Sequence, residues 1–283
     1  MLASLFLSFA VFQVSSTSTQ ESPPAEPVSS KEIVAVESDE ITADARMIVD
    51  RYINATGGRA GWSSVKAIQG NGTLDIPTAG ITGTAAYVVT PDLYRNTFRM
   101  TGGPIQDASI ITGRNGDVVW QLSGENEQYT GKLIEGAERL RNLRQYQFNQ
   151  MLDLEKNFLR VELVDIEEIE GSRTFKILMV PRESPQSKEY RFFDQESNLI
   201  LKTMVDDGTG RVQEAYFDSY KQFGPVKLHT RTKRMTGGQV LMTIATPEIL
   251  INKPVPKSFE EMPLEIKVLL GEKKVSPPVT KPE

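Results

Sequence analysis

His229 is the only histidine of this 283-residue chain, and cysteine is absent, so the residue types that carry nucleophilic and metal chemistry are almost missing. A serine–histidine scheme would rest on His229 alone, with an acid to orient it and a serine on a sharp turn. No Gly-x-Ser-x-Gly elbow occurs in the sequence. By strand parity His229 shares a face with Lys227, Arg231 and Lys233, which reads as a charged surface of a sheet rather than a phosphate site. Without cysteine there is no disulfide, no thiol nucleophile, no zinc–thiolate site and no lipid-modified N-terminal cysteine. The carboxylates Glu167, Glu168 and Glu170, and the pair Asp206 and Asp207, flank Gly171 and Gly208 and read as solvated strand ends. Gly70, Gly72, Gly80 and Gly83 fall within or between strands, with no Gly-Lys-Ser/Thr after them, so they read as bulge and twist positions, not a phosphate loop. Asn54-Ala55-Thr56 and Asn71-Gly72-Thr73 match the glycosylation sequon, a frequent chance match. The chain is therefore expected to be no enzyme, with no metal and no cofactor.

What must position any site is a long run of short alternating segments from about Val65 to Thr246. In Tyr94-Arg95-Asn96-Thr97-Phe98-Arg99-Met100, side chains of one character recur at every second residue, the period of a strand with two unlike faces. Strands are predicted near 66–76, 80–90, 92–101, 107–113, 117–123, 159–169, 173–181, 187–194, 198–205, 211–221, 225–235 and 239–246. Asn115-Gly116 is the strongest hairpin signal, with both residues expected at the positive φ of the turn. Ahead of the sheet, Thr42 can cap a helix that carries Ala45, Ile48, Val49, Tyr52 and Ile53 on one face and ends at Gly57-Gly58. A shorter turn from Ala60 to Lys66 buries Trp62. Between Leu133 and Phe158 the spacing changes to threes and fours, through Leu133, Ala137, Leu140 and Leu143 and then Phe148, Met151, Leu152 and Leu154. That spacing predicts a helical insert with an apolar stripe.

Composition bounds the partners. A net charge of −5 with no basic stripe argues against nucleic acid. Residues 1–17 hold an apolar core of about a dozen residues, shorter than the roughly 20 of a spanning helix, followed by small residues; they read as a signal peptide, though no Lys or Arg precedes the core. Residues 18–40, rich in Ser, Pro and Glu, read as a linker, 41–263 as one folded domain, and 264–283 as a flexible Pro-rich tail. The expected product is an exported monomer of the periplasm or cell envelope.

The feature left for function is the apolar face. Leu74, Ile76, Ile81, Tyr87, Val89, Tyr94, Phe98, Met100, Trp120 and Leu122 are the candidate lining of an apolar cavity. A packed core would show the same alternation.

Several segments carry a resemblance. Ala55-Thr56-Gly57-Gly58-Arg59-Ala60-Gly61-Trp62, Gly72-Thr73-Leu74, Gly80-Ile81-Thr82-Gly83 and Thr112-Gly113-Arg114-Asn115-Gly116-Asp117-Val118-Val119-Trp120 are similar to bacterial outer-membrane lipoprotein carrier proteins, the LolA/LolB-like group. So are Phe193-Asp194 with Leu199-Ile200-Leu201-Lys202, and Phe217-Asp218-Ser219-Tyr220-Lys221 before Gly224-Pro225-Val226-Lys227-Leu228. The resemblance implies a mainly β protein with some α: a strongly curved antiparallel half-barrel of about eleven strands, its concave face covered by helices. It also implies a lipid or lipoprotein acyl chain as ligand, transient contact with a membrane or an envelope protein, and no catalysis. The alternative reading is a structural or sensory envelope module whose cavity is filled by its own helices.

Overall fold

The computed structural model describes residues 40–206 and 212–272. The segments expected to be a signal peptide and, but for Glu40, a linker, and the end of the expected tail, lie outside the described residues. The strands are β1 (Glu40–Ile41), β2 (Ile68–Ile76), β3 (Ile81–Val89), β4 (Leu93–Gly102), β5 (Ile105–Asn115), β6 (Val118–Glu125), β7 (Gln128–Ile134) and β8 (Phe158–Ile169). They continue with β9 (Ser172–Pro181), β10 (Lys188–Asp194), β11 (Ile200–Asp206), β12 (Val212–Asp218), β13 (Lys221–Phe223), β14 (Val226–Leu228), β15 (Arg231–Thr236) and β16 (Gln239–Ile251). The helices are α1 (Ala43–Ala55), α2 (Gly58–Ser63), α3 (Gly136–Gln145), α4 (Leu154–Asn157), α5 (Lys257–Glu260) and α6 (Leu264–Leu269).

Fourteen strands form one large curved sheet in the order β1-β8-β9-β10-β11-β12-β15-β16-β2-β3-β4-β5-β6-β7, not closed into a barrel, and β13 and β14 pair separately. The expectation of about eleven antiparallel strands is corrected in two ways. β7 continues the meander where the spacing suggested helix, so Leu133 is a strand residue, and β1 lies parallel to β8, which makes the sheet mixed. The predicted strand 225–235 breaks at His229 and Thr230, where the chain leaves the small sheet for the large one. The hairpin at Asn115-Gly116 exists, but Asn115 pairs with Val118, so the turn is centred on Gly116 and Asp117 and only Gly116 takes positive φ, +55°. A glycine at the first central position is the requirement of a type II′ turn.

The concave face holds the main core. Thr42 Oγ1 accepts from Ala45 N at 3.4 Å, and α1 then lays Ala45, Ile48, Val49, Tyr52 and Ile53 against the sheet, as its spacing predicts. Trp62 of α2 is buried beside it. The segment that joins β7 to β8 contains α3, a short 3₁₀ turn at Gln150–Leu152 and α4, and it links the strands on the two sides of the opening.

On the convex face, the chain expected to be a free tail from residue 264 opens with α6, whose Ile266 is fully buried against Trp120 and Leu122. Arg95 fastens the segment ahead of it. Its guanidinium lies 5.2 Å from the Trp120 ring, Nη2 donates to the carbonyl of Glu261 at 2.5 Å, and Nη1 donates to the carbonyl of Ser258. Burial lowers the Arg95 pKa to about 10.

Candidate functional site

Strand register decides which candidate residues share a face. Tyr94, Asn96, Phe98 and Met100 of β4 stand opposite Val89, Tyr87, Ala85 and Gly83 of β3, and β2 brings Leu74 and Ile76 into the same wall. Leu74, Ile81, Tyr87, Val89, Tyr94, Phe98 and Met100 all belong to the concave core, with Ile76 half-buried at its margin. Tyr87 lies flat across Gly70, where a Cβ would come within 2.3 Å of its ring. Trp120 and Leu122 do not join them. They alternate with Val119 and Gln121, the β6 residues that continue the concave face, and so they point to the convex side under α6. Parity groups residues by face but says nothing of which face is which.

The cover over this wall differs from the expected apolar stripe. The residues that α3 buries are Asn142, Arg144 and Gln145, while Leu140 is 48% exposed. Arg144 reaches into a buried ion cluster on the sheet. Its Nη2 lies 2.6 Å from Glu189 Oε1 and 2.9 Å from Glu183 Oε1, and Nη1 donates to Gln150 Oε1 at 2.6 Å. Arg191, two residues along β10 on the same face, contributes a longer contact of 3.5 Å to Glu189. The Arg144 guanidinium also sits 5.1 Å from the Phe158 ring. Burial pushes the Glu189 carboxyl up, but the guanidiniums of Arg144 and Arg191 together outweigh it and hold the group below its usual range. Burial likewise works to lower Arg144, and its two carboxylate partners reverse that and raise it. A second attachment follows the helix: Tyr146 stacks on Tyr94 with ring centroids 3.8 Å apart. Both hydroxyls hydrogen-bond Thr112, and both are held protonated, chiefly by burial.

Beside this cluster is a cavity of about 700 Å³. Leu140, Leu143, Phe148 and Leu152 of the insert and Pro91 of the β3–β4 turn supply its apolar lining, the Arg144–Glu183 pair forms part of its wall, and Arg114, Lys156 and Arg182 bring positive charge to it. The insert thus gives both kinds of group to both sides: Tyr146, Met151 and Leu154 join the concave core beside the ion cluster, and Leu143, Phe148 and Leu152 touch that core as well as the cavity. Sequence reasoning missed Arg144, Glu183, Glu189 and Arg191 because the partners lie 39 to 45 residues apart in the chain. The one available signal was a charged residue inside an otherwise alternating strand, at Glu189 and Arg191.

His229 is not among this cavity's lining residues and is no poised base. It is 4% exposed, packed at 4.7 Å from the Phe217 ring and 5.7 Å from the Tyr220 ring, and burial holds its pKa well below the ordinary value. Arg231 and Lys233 pair with Asp218 and Glu170. Among the described residues no three His, Cys, Asp or Glu side chains are grouped to hold a metal, and no helix is long and apolar enough to cross a membrane.

The sequence matches no family model and no curated protein. Its structure is similar to that of an outer membrane lipoprotein-sorting protein domain from Vibrio parahaemolyticus, at 12% identity over 75% of this chain and 94% of that one, with a TM-score of 0.53. A LolA superfamily protein from Nitrosomonas europaea aligns over 77% of this chain and 97% of its own, at 12% identity and a TM-score of 0.48. A DUF1329 family protein from Desulfovibrio piger aligns at 10% identity over 78% and 98%, also with a TM-score of 0.48. The open curved sheet, with helices seated on its concave face, is the fold shared with the lipoprotein-sorting domain.

Proposed function

We propose that this protein is an exported, non-catalytic binding protein that takes an apolar ligand, a lipid or the acyl chain of a lipoprotein, between the concave wall and the insert. The observation that carries this reading is the cavity beside α3, to which Leu140 and Leu143 contribute while the residues the helix buries are Asn142, Arg144 and Gln145. A helix that served only to fill the sheet would do the reverse, as α1 does. The cavity lies within the roughly 300–1,000 Å³ typical of small-molecule sites. Each methylene that enters contributes about 0.8 kcal/mol, offset by the contacts the insert gives up. Affinity is then a difference between two burials of the same wall. The fold likeness to a lipoprotein-sorting domain supports the class of ligand, and His229, sealed between aromatic rings, supports the absence of catalysis. The protein works as a monomer in the periplasm or envelope and touches a membrane or an envelope protein when it loads and unloads.

A second reading has its own observation. Leu74, Ile81, Tyr87, Val89, Phe98 and Met100 are each at most 6% exposed, so the wall is already covered by the protein's own helices. A structural or sensory envelope module would keep it so. Native mass spectrometry of the full chain purified from an exporting bacterium, with organic extraction of what co-purifies, separates the two. A stoichiometric lipid is expected; an empty protein that also leaves a fluorescent fatty-acid probe unbound selects the filled module.

A further inference from the structure

The concave wall carries a polar row that the closed protein does not use. Tyr87 of β3, Asn96 of β4 and Thr112 of β5 are register partners in turn, so their backbones stand at one level across three strands, with the Tyr87 ring and hydroxyl turned over Gly70 of β2. On one side of the row stand Val89, Tyr94 and Arg114, and on the other the wall is apolar, with Ala85, Phe98 and Ile110. Tyr87 is 2% exposed and Asn96 is 1% exposed, yet the Tyr87 hydroxyl and Asn96 Oδ1 have no hydrogen-bond partner. Burial keeps the Tyr87 hydroxyl protonated, so it remains a donor. An unpaired buried polar atom is a cost that phenylalanine or leucine would avoid in the same space. Thr112 does have partners, the hydroxyls of Tyr94 and Tyr146, but Tyr146 belongs to the insert and leaves with it.

We infer that this row reads the ligand: it receives a polar function, a hydroxyl or an amide or ester group, carried on the apolar chain at that depth rather than at its end. The inference rests on the insert giving way to a ligand. Once it does, Thr112 keeps the Tyr94 hydroxyl, and a plain hydrocarbon would leave the Tyr87 hydroxyl and Asn96 Oδ1 unpaired. A chain with a hydrogen-bonding group at that level pairs one or both of them and gains accordingly.

The test is displacement of a fluorescent fatty-acid probe by plain fatty acids and by a series with one hydroxyl moved stepwise along the chain, on the wild type and on Tyr87→Phe and Asn96→Ala. The wild type should bind one hydroxylated isomer about tenfold more tightly than the plain acid, the equivalent of about 1.4 kcal/mol. In Tyr87→Phe that preference should fall to about twofold or less, with the melting temperature unchanged or higher. Equal binding of every isomer by the wild type, or a preference that survives both substitutions, overturns the inference and leaves the binding function standing. A lower melting temperature for Tyr87→Phe overturns it too, since the hydroxyl would then have a structural partner. A wild type that binds no chain at all removes both the inference and the binding function beneath it.

Discussion

Two helical pieces cover the same concave wall and are attached to it in opposite ways. Helix α1 is capped by Thr42 and buries only apolar side chains, Ala45, Ile48, Val49, Tyr52 and Ile53. Helix α3 buries Asn142, Arg144 and Gln145 and gives Leu140 and Leu143 to a cavity. Lifting α1 would expose apolar area to water with nothing in return. Lifting the insert as a whole also exposes Tyr146, Met151 and Leu154, but it returns charges and amides to water, which solvates them again, so part of what the contact gains is recovered. The first attachment makes a core; the second, on the proposed function, makes a cover that opens as a unit.

The largest effect expected on this contrast comes from breaking the ion cluster halfway. Arg144→Ala leaves Glu183 and Glu189 buried beside Arg191 alone, and should cost about 3–5 kcal/mol of stability in urea unfolding. Loss of well under 1 kcal/mol would mean that the cluster is hydrated and does not hold the insert. Next comes Ile53→Ala, a large-to-small change at a side chain 1% exposed, which should cost about 2–4 kcal/mol and lower the melting point. Hydrogen exchange should then distinguish the two sites: Ile53→Ala speeds the slowest, globally protected amides, whereas Arg144→Ala speeds the insert most.

A smaller effect follows from pH. The Glu189 carboxyl is depressed in the folded protein, so its contribution is fully present above the unfolded carboxylate value of 4.5 and is lost as pH falls through the lower folded value. Glu155 of α4, also depressed, acts in the same direction; its own backbone amide is the leading cause and Arg46 of α1 the next, and as an exposed pair at 2.5 Å its share is small. Exchange in the insert, corrected for the intrinsic pH dependence, should therefore rise below about pH 4.5 before exchange in α1 does. Equal acceleration of both helices would put them in one cooperative unit and erase the distinction.

The same contrast explains what could be read from the sequence. Helix α1 was legible in full because cap, apolar spacing and terminal glycine all agree on one answer. The insert was legible as helix but not in orientation. Leu140 and Leu143 at a spacing of three look alike whether they face a sheet or line a cavity, and the polar side that does face the sheet is recognisable only once Glu183 and Glu189 are in place. Trp120 and Leu122 alternate correctly and still belong to the other face, since period two fixes membership but not direction. β1, two residues long, gave no pattern to read, and β7 was hidden by Gly131 and by polar residues on both faces. Size and parity alone put Tyr87, Tyr94 and Phe98 on one face, which is the core face, and the row that includes Asn96 emerged only from the register.

The most direct test of the account is to lock the cover. The chain has no cysteine, so a single engineered pair joining α3 to the neighbouring β6, elements close enough for a disulfide to be sought between them, would form without competition. The oxidised protein should take up no fluorescent fatty acid, and reduction should restore uptake to the level of the same variant never oxidised. Undiminished uptake by the fully oxidised protein would contradict the account, because the ligand would then reach its site without moving the insert.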